Sequence, residues 1–185
     1  MLAISEVRAI KKVLVYDIVK SRAQQYSREM AKRFSAEITP ITDLKEAIAK
    51  ADIIVTATTA TSPVLNGDWL SPGTHINAIG WMGPNARELD TKTIVKAKLV
   101  VDSKEAVLSE SGDILIPIKE GAIDEKHIYA ELGEIIIGKK LGRVSDSEIT
   151  LWESVGLAVQ DAATAKLVYE KAVKKGVGIE VNLGY

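Results

Sequence analysis

Lys12-Val13-Leu14-Val15-Tyr16-Asp17-Ile18 is a compact run of apolar and β-branched residues that ends in an acid. A run of this kind, without polar alternation, reads as a strand covered on both faces, as in parallel sheets. Downstream, Lys20–Phe34 is rich in Arg, Gln, Glu, Met and Ala and has neither Gly nor Pro, which is helix composition. The alternation then repeats. Glu37–Pro40 reads as a short strand, and Thr42 and Asp43 cap an amphipathic helix over Leu44–Lys50. Asp52–Ala57, Thr74–Ile79 and Lys98–Asp102 are further strands, with a short helix over Glu88–Ala97 between the last two. Strands interleaved with helices make βαβ units. The expected fold is α/β, a Rossmann-type, doubly wound and mostly parallel sheet.

The last third has a different pattern. Ile149–Trp152 is extended, and Ser154 is placed to cap a long helix over Val155–Lys175. Lys171, Lys174 and Lys175 gather at its end, where the helix dipole favours cations, and Gly176 suits the left-handed position that follows. Ile179–Leu183 alternates and reads as a final strand. The division is therefore residues 1–153 as a sheet domain and 154–185 as a C-terminal helix and strand. No internal repeat or low-complexity segment interrupts either part.

Composition narrows the function. The 24 Lys and Arg against 25 Asp and Glu leave a formal charge of -1 over 185 residues, so no global field draws the chain to nucleic acid or anionic lipid. There is no cysteine, which excludes disulfides, thiolate metal sites and thiol nucleophiles. Two histidines, His75 and His127, are too few for a multi-His metal centre. No apolar run reaches the roughly 18 residues of a membrane helix, and the N-terminus lacks a secretory pattern. The expected location is the cytoplasm, with neither nucleic acid nor membrane as partner.

Asp17 is the most informative single residue. In a dinucleotide-binding unit the second strand ends in an acid that accepts hydrogen bonds from the ribose hydroxyls of NAD, and a carboxylate there repels the extra phosphate of NADP. An Asp after a strand also simply starts a turn. The Gly-rich phosphate loop belongs about 20 residues before that acid. Counting back from Asp17 runs past Met1, and the first glycine is Gly67. Either Asp17 is not a ribose acid, or Met1–Ile10 is the tail of the unit's first helix.

Four segments carry a family resemblance in the right order and spacing: Lys12–Asp17 (KVLVYD), Asp52–Leu65 (DIIVTATTATSPVL), Leu70–Asp90 (LSPGTHINAIGWMGPNARELD) and Ser154–Ala165 (SVGLAVQDAATA). Together they resemble the ornithine cyclodeaminase/mu-crystallin family, which includes archaeal alanine dehydrogenases and imine reductases. Full-length members carry the substrate domain, the catalytic lysine, the substrate-binding arginines and the Gly loop in a preceding half. The resemblance therefore implies an N-terminally truncated cofactor domain, lacking the first strand and Gly-rich loop, and a homodimer for the full-length family. It implies NAD as cofactor, a small amino or imino acid as substrate, and no catalytic residue within this stretch. Residue by residue it makes Asp17 the ribose acid and sets Thr56 and Thr58 against the cofactor. It places the Ile79 and Gly80 backbone along the nicotinamide, and Ser154 and Val155 near its carboxamide and the substrate.

One departure separates the branches. Cyclodeaminases resemble G-x-D-x-P-G-K-x-E-L after the nicotinamide strand, whereas here the stretch is Gly80-Trp81-Met82-Gly83-Pro84-Asn85-Ala86-Arg87-Glu88-Leu89. Met82 stands in place of the proton-transfer Asp, and a thioether cannot carry protons. This favours the dehydrogenase and imine-reductase branch over ornithine cyclodeaminase; a non-catalytic NAD-binding module or remnant is the alternative from another class. Arg87 and Glu88 are read as structural. His75, inside an apolar strand, is read as packed, and His127, in DEKHIY, as facing solvent. Without its central first strand, the sheet is expected to leave the second and fourth strands with unpaired edges.

Overall fold

The structure, a computed structural model, describes residues 1–80, 83–182 and 184. A short helix α1 (Leu2–Ser5) leads into β1 (Lys12–Val15), α2 (Lys20–Ala31), β2 (Glu37–Pro40), α3 (Leu44–Ala49) and β3 (Ile53–Thr56). Then follow β4 (His75–Ala78), α4 (Thr91–Lys96), β5 (Lys98–Val101), α5 (Lys104–Glu110) and α6 (Gly112–Lys119). The chain closes with β6 (Ile128–Glu131), α7 (Leu132–Ile136), β7 (Thr150–Glu153) and α8 (Ala158–Lys175). It is an α/β Rossmann-type fold in which every strand pair runs parallel.

The strands form two sheets, β1-β2 and β3-β4-β7-β5-β6. The interruption falls between β1 and β3, at the position the sequence assigned to the missing central strand. Among the described residues nothing pairs with the outer edge of β1 or of β3. The late strand β7 lies in the middle of the larger sheet, between β4 and β5. Its register sets Leu151 beside Ile76 and Leu99. These three are at most 1% exposed, and Ile94, Val101, Val107 and Ile114 complete the core around them.

Local chemistry explains several boundaries. Asp43 caps α3 by accepting from Glu46 N at 3.1 Å, and Asp90 caps α4 from Thr93 N at 2.8 Å, so α4 starts at Thr91 rather than Glu88. Gly176, with φ +61, ends α8 in the left-handed conformation.

Three expectations are corrected. Ser154 does not cap α8, whose N-cap is Leu157, because its hydroxyl is committed elsewhere. Residues 179–182 form no strand, for they have no neighbouring strand to pair with; Leu183 lies outside the described residues. His127 is half-buried with Nε2 2.8 Å from Ile94 O, because the strand β6 that follows it joins the sheet edge and draws it in. His75 is packed as read, with Nδ1 2.8 Å from Thr150 Oγ1, and burial holds its pKa below the usual range.

Candidate functional site

Parallel strands present all their C-terminal ends on one rim, where backbone groups leave the ladder and ligands of open α/β sheets bind. Thr56, Ala78 and Glu153 are in register across β3, β4 and β7. Six of the seven sequence-selected residues therefore converge at one rim: Thr56 and Thr58, Ile79 and Gly80, and Ser154 and Val155. Asp17 stands apart in the smaller sheet, beyond the break. There it begins a turn, with Oδ1 accepting from Val19 N at 2.7 Å.

The rim is held from below. Thr58 N donates to Glu88 Oε1 at 2.5 Å, and Ile79 N donates to Thr56 O at 3.0 Å. Gly80 leaves room for the Glu88 carboxylate, which a Cβ would displace. Gly112 serves the same end: a Cβ there would strike the Ala86 carbonyl, so the Gly83–Ala86 loop can lie directly on the start of α6. Thr56 Oγ1 is buried with no hydrogen-bond partner among the described residues. That orphaned hydroxyl sits at the rim, where the residue Ile79 is exposed, and suits a polar ligand group.

Of the acids beneath, Glu88 was read from the sequence as structural, whereas Asp113 and Glu153 were missed. Glu88, Asp113 and Glu153 are each no more than 3% exposed. Asp113 Oδ1 accepts from Leu89 N at 2.7 Å, and Glu153 Oε1 accepts from Ser111 Oγ at 2.6 Å. Burial pushes the Asp113 carboxyl up to about 7, and the nearby Glu88 charge adds to the push. Glu153 is driven well above the carboxylate range, first by burial and then by the charge of Asp113. Asp102 completes the group from the end of β5, where Oδ2 accepts from Ser154 Oγ at 2.8 Å and from Gly156 N at 3.0 Å. Lys98–Asp102 repeats the strand-then-acid signature that singled out Asp17, and that signal was available.

The opposite end of the strands is different in kind. A cavity of about 450 Å³ opens there, lined by Arg8, Asp52, His75, Lys98 and Arg143 among others. Two of its cations are occupied: Lys98 pairs with Glu148 at 3.1 Å, and Arg143 donates to Thr150 Oγ1 at 2.9 Å. Among the described residues no group of acids and histidines could hold a metal ion, and no helix is long and apolar enough to cross a membrane. Trp81 and Met82, which bear on the choice of branch, lie outside the described residues.

Residues 1–176 match the model of the ornithine cyclodeaminase/mu-crystallin family. The chain is 46% identical over 181 residues to a Delta(1)-pyrroline-2-carboxylate reductase of Bacillus cereus, covering 97% of this chain and 55% of that protein. In structure it is similar to Thermococcus litoralis Delta(1)-pyrroline-2-carboxylate reductase solved with NADH and L-proline, with a TM-score of 0.94 and 57% identity. That alignment covers 97% of this chain and 56% of the other. It is also similar to an archaeal alanine dehydrogenase dimer with bound NAD, with a TM-score of 0.88, 38% identity, and coverage of 98% and 56%. The chain thus spans a little over half the length of these relatives.

Proposed function

The chain belongs to the ornithine cyclodeaminase/mu-crystallin family, and from that premise we propose that it is the cofactor-binding part of an NAD(H)-dependent oxidoreductase of small amino or imino acids. The reaction is hydride exchange between nicotinamide and the α-carbon of the substrate. In the reducing direction the hydride adds to the carbon of a C=N bond and the nitrogen gains a proton. When bound, the dinucleotide supplies the hydride, and the chain supplies orientation.

The observation that carries this reading is the convergence of Thr56, Thr58, Ile79, Gly80, Ser154 and Val155 at the C-terminal ends of three adjacent parallel strands. There the Thr56 hydroxyl is buried at the strand end without a hydrogen-bond partner among the described residues, and the Ile79 and Gly80 backbone lies along the nicotinamide side. Asp17 keeps its second carboxylate oxygen for the ribose hydroxyls, and its charge sets NAD over NADP. No catalytic residue is assigned among these positions, because the family's lysine belongs to the half that this chain does not match. Residues 1–153 form the cofactor part, and 154–185 return toward a substrate domain; α8 buries none of its residues, which supports that division. The dimer seen in the archaeal alanine dehydrogenase supports a homodimer for the full-length protein.

The reading is tested by titrating the chain with NADH and with NADPH. NADH is expected to bind the more tightly, and Asp17→Ala to weaken NADH about tenfold, the loss of charge-assisted hydrogen bonds to ribose. No NADH binding, or equal affinity for both cofactors, would sink it.

A further inference from the structure

Ser154 has a hydroxyl with one proton, and that proton is spent. Its Oγ donates to Asp102 Oδ2 at 2.8 Å, while Gly156 N donates to the same carboxylate oxygen at 3.0 Å and shares its proton with one lone pair of Ser154 Oγ at 3.3 Å, leaving the other for a ligand. The other carboxylate oxygen, Oδ1, accepts from Ser103 N at 2.8 Å. Asp102 is itself anchored to the strand that carries Ser154, because its backbone N donates to Glu153 O at 3.2 Å across the β5–β7 register. Gly156 turns with φ +84, a conformation that a side chain would strain, so the Ser154–Gly156 segment folds back over the carboxylate. None of this serves the helix that follows. α8 starts at Ala158, and its N-cap, Leu157, makes no side-chain bond. A buried hydroxyl held at the sheet rim, with its proton given to the neighbouring strand end, therefore wants another explanation.

A carboxylate oxygen only accepts, so the direction of the Ser154–Asp102 bond is decided by chemistry. What Ser154 Oγ then offers to a ligand is lone-pair density alone. It can receive an N–H and cannot donate to a carboxylate or a carbonyl. Resting on the cofactor reading above, we propose that Asp102 is a positioning residue that makes Ser154 a one-way acceptor for the carboxamide NH2 of the nicotinamide. A carboxamide bound there would present its NH2 to Ser154 Oγ, at the end of β7. The substrate's carboxylate is turned away from Ser154 by the same lone pairs.

The test compares NADH with reduced 3-acetylpyridine adenine dinucleotide, in which a methyl group replaces the NH2, by fluorescence titration of the full 185-residue chain. The wild-type chain is expected to prefer NADH roughly 5-fold, the ratio that one neutral hydrogen bond supports. Asp102→Ala should bring that ratio to about 1, because the freed Ser154 proton serves the acetyl oxygen as well as its lone pairs serve the amide. Ser154→Ala should do the same from the other end, and the double variant should go no further. Asp102→Asn, which keeps an acceptor oxygen in place, should restore most of the preference. A purely structural role would weaken both ligands alike and leave the ratio unchanged. A preserved ratio in either alanine variant overturns the proposal. A wild-type chain that binds both dinucleotides equally overturns it while leaving the cofactor reading standing; a chain that binds neither overturns both.

Discussion

β5 and β1 are each four residues long, each rich in valine and leucine, and each half of a parallel pair, yet they end in opposite conditions. Leu99 and Val101 of β5 are fully buried, whereas β1 and its partner β2 have no buried residue. The difference lies in neighbours. β5 has a strand on either side, β7 and β6, and α4, α5 and α6 pack close by. β1 has one strand, one helix and an open edge. A strand sequence makes a strand, but only its surroundings make it core. α8 makes the same point at greater length: its 18 residues bury none, and Val168 stays 60% exposed.

Leu99→Ala should break the contrast most severely. It removes a fully buried side chain from the central sheet and is expected to cost about 2–5 kcal/mol in denaturant unfolding. A cost near that of a surface change would mean the larger sheet is not the stabilising unit. Gly80→Ala follows, at about 1–3 kcal/mol, because the new methyl must displace a Glu88 carboxylate that is itself buried and bonded to Thr58 N.

Asp113 sharpens the comparison through pH. Its folded pKa is raised, so the folded state holds a proton that the unfolded chain gives up near 4. Its contribution is complete below about pH 4 and is lost as pH rises to about 7. Asp113→Asn keeps the acceptor for Leu89 N and should flatten that decline by up to about 1.4 kcal/mol per pH unit in thermal melts from about pH 4 to 8. An unaltered pH profile would remove the assignment. The exposed Lys12–Glu37 pair joining β1 to β2 should show no such dependence of consequence. Smallest of all, Leu167→Ala on α8, where Leu167 is half exposed, should change stability by no more than about 0.5 kcal/mol.

Strands up to Lys98 were legible because each is an uninterrupted apolar run flanked by helix or turn residues; Glu37–Pro40 matches its strand to the residue. β6 was not, since Ile128-Tyr129-Ala130-Glu131 is a short apolar stretch set between charged Asp124-Glu125-Lys126 and an acid. α5 and α6 went unread as well, although Ser103 caps α5 through Ala106 N at 3.4 Å, a local signal. At the site, the strand-then-acid signal picked out Asp17, and the rim residues came from the family resemblance, whose four segments are each short and local. Asp113 and Glu153 escaped because their significance is mutual, with each other and with Glu88, and long stretches of chain separate the three.

Period and composition by themselves determined that this chain is α/β, that its strands run parallel, and that Thr56, Ile79 and Ser154 stand at strand ends. Those follow from apolar runs and turn chemistry, which act over a few residues. Tertiary structure alone decided that β7 inserts between β4 and β5 and that Asp102 takes the Ser154 proton. Each of these depends on which distant segment arrives as a neighbour. Burial and hydrogen-bond direction are properties of the meeting, and neither partner's sequence contains them.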